Sequence, residues 1–305
     1  MPQDTTALQK RIESGKPVII AEIAPPKALD AAPIRSLVRN VAGKVHALGI
    51  SDNRDSIRIS ALAAAAVVLD ENVEPIMHMV TRDRNRIALL SDCIGAQVLG
   101  VRNILCTSGT HQSLLPADET KNVFDFDATL LLQSCRDLGK NTAPINGNAV
   151  NGRTFLCLGA VASPFAGPLE LQIARIDQKI SAGAQFLVTP PIFDLDLFNK
   201  WWKEVTARGL HKKTAFIAGI KVLTDASAAT EYAAKRPVPM VPDSIINRLS
   251  SKSDPKAGKA EGIAIATEII NKLSGIDGIR GFEIVCDDDL EAALEILDAL
   301  KSKLG

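Results

Sequence analysis

The stretch VIIAEIAPP, residues 18–26, is apolar from Val18 to Ala24 except at Glu22 and stops at two prolines. A strand with one wet face alternates apolar and polar residues. A continuous apolar run is the pattern of a strand buried on both faces, as in a parallel sheet. Seven further runs read the same way: KVHALGIS (44–51), EPIMHMV (74–80), RNILCTS (102–108), TFLCLGAV (154–161), FLVTP (186–190), TAFIAGIKV (214–222) and GFEIVC (281–286). Between them lie helical patterns such as SIRISALAAAAVVLDEN, NRIALLSDCIGAQVLG, DATLLLQSCRDLGKN, PLELQIARIDQKISAGA and DLDLFNKWWKEVTARGL, with apolar residues three and four apart. Eight strand–helix units in a chain of 305 residues predict an α/β fold, a (β/α)8 TIM barrel, as a single domain over residues 1–305. The competing doubly wound sheet needs a phosphate-binding glycine loop after an early strand, and neither G-x-G-x-x-G nor G-x-x-x-x-G-K-[ST] occurs.

A composition that is 46% apolar and 23% charged is that of a soluble globular protein. Thirty-five basic residues balance 35 acidic ones, so no global field draws in nucleic acid or anionic lipid. Aromatic residues at 4% are too few for base-stacking platforms or a membrane belt. The expected partner is a small molecule or another protein. The N-terminal residues lack the apolar core of a signal peptide, and no run is long enough to span a bilayer. Five scattered cysteines without C-x-x-C suggest buried thiols in a reducing cytoplasm rather than a disulfide framework or a metal centre. GTHQSLLPADETKNVFDFD (109–127) and NTAPINGNAVNGR (141–153) read as irregular loops. Residues 236–262 read as a turn, a short helix and an exposed lysine-rich connection.

In such a barrel chemistry sits at the C-terminal ends of the strands. Those ends read Glu22, Ser51-Asp52-Asn53, His78, Thr107-Ser108-Gly109-Thr110-His111, Ser163-Pro164, Thr189-Pro190-Pro191 and Lys221. Pointing inward, Glu22 would have apolar neighbours that raise its pKa and suit it to general-acid work; pointing outward, it would pair with a helix lysine. His78 is either a hydrogen-bonded core residue or a site residue. Lys221 is either a desolvated amine able to form a Schiff base, which would make an aldolase, or a partner for a carboxylate or an anionic ligand. The acids between Asp118 and Asp127 read as a solvated loop, Trp201-Trp202 as helix packing, and CDDDLE (286–291) as charge at a helix N-terminus.

Taken in order, AEIAPPK, GISDN, IMHMVTRDRN, GAVASPFAGPLELQIARIDQKISAGAQFL, PPIFDLDLF, AGIKVLT and VPDSIINRL resemble the short methylenetetrahydrofolate reductases, flavoprotein barrels without a regulatory domain. The resemblance covers almost the whole chain. It implies reduction of 5,10-methylenetetrahydrofolate to 5-methyltetrahydrofolate by hydride from a reduced flavin, FAD or FMN, recharged by NAD(P)H. It implies that Glu22 is the acid that protonates N10, and that Ser51, His78, Ser108, Gly109, Thr110 and Lys179 lie at the flavin, with Thr189 and Lys221 at the substrate. Two departures stand out: Thr110 where the family usually has an aspartate, and Pro190 where a folate-binding glutamine is common. A flavin-free nicotinamide-dependent reductase, a pterin-dependent methyltransferase and a degenerate subunit of a one-carbon complex are the alternatives. A cytoplasmic location and assembly as a homo-oligomer or with such a partner are further expectations.

Overall fold

The computed structural model describes residues 5–114, 120–138, 150–234, 241–287 and 289–304. Eight parallel strands follow one another around a closed barrel in sequence order. They are β1 (Val18–Ile23), β2 (Ala47–Ile50), β3 (Pro75–Val80), β4 (Asn103–Thr107), β5 (Cys157–Val161), β6 (Phe186–Pro191), β7 (Ala215–Lys221) and β8 (Ile279–Val285). The first half carries α1 (Ala7–Glu13), α2 (Ala32–Val41), α3 (Ala61–Asp70), α4 (Arg86–Val98) and α5 (Ala128–Asp137). The second carries α6 (Leu169–Ala182), α7 (Leu195–Ala207), α8 (Ala226–Ala234), α9 (Asp243–Ser250), α10 (Pro255–Ser274) and α11 (Leu290–Leu304). Each predicted strand is present, trimmed or shifted by a few residues at its ends.

Every residue of β1 is buried, as its unbroken apolar run requires. Ile19, Ala21 and Ile23 pack into the shell between barrel and helices, whereas Val18 and Ile20 pack inside the barrel. The same two-residue period sends Ile76, Leu105, Cys157, Phe186 and Ile217 inward. Phe186 fills the space left open at Gly159, where an added Cβ would stand 2.2 Å from its ring. Trp201 and Trp202 pack with Phe198 and Phe216 in the outer shell, as helix packing requires.

Helix α1 closes the N-terminal end. Leu8 joins the interior cluster, its amide donates to the Glu74 carboxylate at 3.2 Å, and the Thr6 hydroxyl donates to Asn103 Oδ1 at 2.9 Å. Asn103 in turn donates to Glu74 at 2.7 Å.

The lysine-rich segment expected as a connection is instead the start of α10. Asp254 caps it by accepting from the Ala257 amide at 2.9 Å, and Pro255 occupies the first turn, where a missing amide hydrogen costs nothing. Residues 115–119 and 141–149 of the two predicted loops lie outside the described residues. The five cysteines are free and buried, with Cys93 Sγ 3.3 Å from Cys135 Sγ. Among the described residues no helix is long and apolar enough to cross a membrane.

His46 and Ile19 lock the start of the β1–β2 ladder by a reciprocal pair. The His46 amide donates to Ile19 O at 2.8 Å, and the Ile19 amide donates to His46 Nδ1 at 2.9 Å. Burial, with Arg11 and Lys301 adding repulsion, pushes the His46 pKa down to about 4. The folded state therefore binds the proton less well than the unfolded one, so the stabilisation is complete above about pH 6.5 and is lost as pH falls toward 4. Urea unfolding between about pH 7 and 4.5 should show wild type losing on the order of 1–3 kcal/mol more than His46→Asn. Parallel losses in the two proteins would refute this role.

Candidate active site at the barrel mouth

Glu22 lies two residues beyond Ile20 on β1 and therefore faces the barrel interior. The inward parity places His78 above Ile76 on β3, and Lys221 above Ile217 on β7. On β8 Glu283 stands opposite Ile20 of β1 and Gly219 of β7. All four side chains are buried: Glu22 is 7% exposed, His78 7%, Lys221 6% and Glu283 4%. They form a layer of ionisable groups over an apolar floor. Of the two orientations open to Glu22, the fold selects the inward one.

Glu22 does not stand alone against an apolar wall. Arg54, from the loop between β2 and α3, forms a salt bridge to Glu22 Oε1 through one guanidinium nitrogen and to Asp287 Oδ2 through another. Asp287 follows β8, and its other oxygen accepts from the Ala24 amide at 2.7 Å. His78 Nδ1 approaches the same Glu22 oxygen at 3.8 Å. Burial pushes the Glu22 pKa up, but Arg54, helped by His78 and Lys221, pulls it below the ordinary carboxylate value. This corrects the expectation that apolar neighbours alone keep Glu22 protonated. Burial, with the Glu22 charge adding to it, drives Glu283 well above the usual range. His78 is lowered by burial, against the pull of Glu22.

The rim over β2, β3 and β4 is built from a second ionic network. Asp52 Oδ2 accepts from the Val80 amide at 3.0 Å and pairs with Arg84, which also reaches Asp92 at 2.5 Å. Arg82, only 2% exposed, donates to Asn53 O at 2.7 Å and Thr110 O at 3.2 Å while gripping Asp83. Gly109 has φ +80°, and a Cβ there would meet Val80 Cγ1 at 2.6 Å, so this turn needs glycine for both conformation and space. Ser108 Oγ accepts from the Ala128 amide at 3.3 Å. Among the described residues the buried hydroxyls of Ser51 and Thr81 and the Asn53 carboxamide oxygen have no hydrogen-bond partner.

On the far side, Lys179 of α6 donates to Val161 O at 2.6 Å, and burial, with Arg175 nearby, lowers its pKa to about 8. Thr189 Oγ1 accepts from the Gly219 amide at 3.0 Å beside the register shift of β6, so its hydroxyl serves the sheet. Lys221 Nζ lies 5.6 Å from the Tyr232 ring of α8. Two clefts of about 410 and 320 Å³ lie elsewhere, one beside Asp177, Arg208 and Lys213, the other beside Cys135, Arg136 and Gly183. Neither has strand-end ionisable residues in its lining.

The family model for methylenetetrahydrofolate reductase matches residues 7–301. The chain belongs to that family. It is 25% identical over 308 residues to methylenetetrahydrofolate reductase 2 of Saccharomyces cerevisiae, covering 96% of this chain but 48% of the yeast protein, so it spans about half that relative's length. Among solved structures, a Clostridium thermocellum protein that binds two copies of 5-methyl-5,6,7,8-tetrahydrofolic acid matches with a TM-score of 0.66 at 14% identity, over 98% of this chain and all of that one. An F420-dependent secondary alcohol dehydrogenase matches at 0.54 and 12%, over 94% and 98%. At such identities these likenesses speak for the fold.

In this methylenetetrahydrofolate reductase family member, the mouth brings Glu22, His78 and Lys221 together from three strands. Ser51, Ser108, Gly109 and Thr110 lie along the β2–β4 rim; Lys179 stands apart at the end of β5. The sequence reading missed Arg54, Arg82, Asp287 and Glu283. Glu283 had a legible signal, since it interrupts GFEIV as Glu22 interrupts VIIAEI. Helix-terminal charge, expected of CDDDLE (286–291), describes Asp289, which accepts from the Ala292 amide at 2.9 Å, and not Asp287. His111 is exposed and hydrogen-bonds Ser113 and Asn122, whereas Asp125 pairs with Arg86, as a solvated loop allows. Among the described residues no group of three acidic, histidine or cysteine side chains is arranged for a metal.

Since Arg54 is the largest influence opposing burial at Glu22, Arg54→Met should reverse the sign of the shift. Carbon-13 NMR of labelled glutamate should find the Glu22 carboxyl titrating above the ordinary range in the variant and below it in wild type. An unmoved titration would disprove the dominance of this pair.

Proposed function

We propose that the chain reduces 5,10-methylenetetrahydrofolate to 5-methyltetrahydrofolate, with Glu22 as general acid. The observation that carries this reading is the inward, buried Glu22 carboxylate at a strand's C-terminal end, in a chain matched by the family model over residues 7–301. A family member from yeast is a methylenetetrahydrofolate reductase, and a structural neighbour binds a methyltetrahydrofolate; both support a folate as the substrate class.

The β2–β4 rim fits the polar edge of a flavin. Among the described residues Ser51 Oγ and Thr81 Oγ1 are buried without hydrogen-bond partners, and Gly109 turns the chain beside them with φ +80°. FAD or FMN held there by Ser51, His78, Thr81 and the Ser108–Gly109–Thr110 turn would supply hydride, with NAD(P)H as the source of electrons. Lys179 of α6 stands beyond this rim, at the end of the adjoining β5.

The chain's own part is proton management. Glu22 delivers a proton to N10, which opens the five-membered ring and prepares the one-carbon unit to accept hydride. It must first acquire that proton, so Arg54 has to release Oε1. Asp287 offers the guanidinium an alternative partner already in contact with it. Without Arg54 the desolvation of Glu22 prevails and the carboxyl takes up a proton. Lys221, across the mouth, is placed to meet an anionic or carbonyl part of the substrate.

Hydride transfer directly from a nicotinamide is the second reading. Thr110 and Pro190 favour it, since an acid and an amide common in flavin-using members are missing. The visible absorption of the purified protein separates the two, a flavin spectrum supporting the first and a colourless active enzyme the second. Glu22→Gln should lower folate reduction by about 10²–10⁴-fold while bound flavin is still reduced by NAD(P)H. Full activity of that variant in folate reduction would end the acid assignment.

A further inference from the structure

Glu283 has no part in the chemistry described so far, yet it is among the most buried ionisable groups of the barrel. Among the described residues its Oε1 has no hydrogen-bond partner, and neither has His78 Nε2. Both atoms lie against the same glycine. A Cβ added at Gly49 of β2 would lie 3.2 Å from His78 Nε2 and 3.3 Å from Glu283 Oε1, so the two side chains converge where β2 has no side chain of its own. The other face of the same imidazole looks toward Glu22, with Nδ1 3.8 Å from Oε1, the oxygen that Arg54 also holds. Three side chains on β8, β3 and β1 thus run from the barrel interior to its rim.

We propose that Glu283 is the proton store of this site and reloads Glu22 through His78. This rests on the reading of Glu22 as the acid. The transfer conserves charge: Glu283 gives its hydroxyl proton to His78 Nε2, and the Nδ1 proton passes to the Glu22 carboxylate as Arg54 leaves Oε1. Glu283 becomes a carboxylate, the imidazole stays neutral with its proton on Nε2, and Glu22 becomes the acid. After turnover a solvent proton entering at Glu22 retraces the route and restores both Glu283 and the starting tautomer. Net consumption is one proton per reduction. The charged or titratable groups facing this path are Glu22 of β1, Arg54 of the β2–α3 loop, His78 of β3, Lys221 of β7 and Asp287 beyond β8. Burial and the Glu22 charge both favour the neutral form of Glu283. An ordinary structural carboxylate buried to this degree would be paired with a cation, and Arg54 is committed to Glu22 and Asp287 instead. Glu283 acts through its neighbours and not on the substrate.

Infrared titration of the full chain without substrate tests the store. A protonated-carboxyl band should persist at neutral pH in wild type and in Glu22→Gln, and disappear in Glu283→Gln. If that last substitution removes a carboxylate band instead, the proposal is overturned, whatever reaction the enzyme performs. The relay is read from the pH profile of folate reduction. Glu283→Gln should match wild type at low pH, where solvent protonates Glu22 directly, and fall about tenfold in kcat at high pH with KM unchanged. Gly49→Ala, which retains both acids but presses a methyl group against His78 Nε2 and Glu283 Oε1, should reproduce that loss. Profiles that superimpose on wild type in both variants would leave Glu283 a structural acid and defeat the relay, while a loss confined to Glu22→Gln would still uphold the acid.

Discussion

The competition between burial and a single guanidinium at Glu22 governs this molecule. Desolvation alone would make that carboxyl neutral, and the Arg54 contact makes it an anion. Removing an isolated charge from water costs far more than a fold of this size has to spare, so the carboxylate is tolerable only while the arginine stays. The rest of the mouth is arranged around this dependence. Asp287 shares the guanidinium, the Ala24 amide orients Asp287, and the parity of β1 aims Glu22 inward.

Because the arginine comes from a loop and the acid from a strand, the two differ in freedom of movement. The β1 backbone is held by ladders to β2 and β8, whereas Arg54 sits among bends after β2. A ligand entering the mouth would therefore shift the arginine before it shifted the acid. Arg82 has the opposite character. Buried and tied to carbonyls of two loops, it fixes the rim over β2 and β4 in place.

The barrel was legible from the eight apolar runs, because burial on both faces demands a parallel sheet covered by helices and the lack of a phosphate-binding glycine loop disfavours the doubly wound alternative. Glu22, His78 and Lys221 were legible because polar residues inside such runs have few places to go. Arg54 was not, since a cation in the polar segment SDNRDSIR has the same composition as any solvated loop, and only the fold brings it over β1. Asp287 was hidden among three consecutive aspartates of which another caps the helix. The protonation of Glu22 was misjudged for the same reason: the sequence displays covalent neighbours, and the controlling neighbour is 32 positions away.

The seal at the other end of the barrel has its own consequence. With α1 pressing Leu8 into the interior and Glu74, Thr6 and Asn103 tied together beneath it, the barrel is plugged at its N-terminal end, and its layer of ionisable groups lies toward the opposite mouth. Whatever exchanges protons or contacts with Glu22 does so from that mouth, beside the Arg54 guanidinium. Reactants too bulky to share the opening would have to take turns, and a proton laid down at depth before the opening is filled would be out of reach of bulk water until it clears.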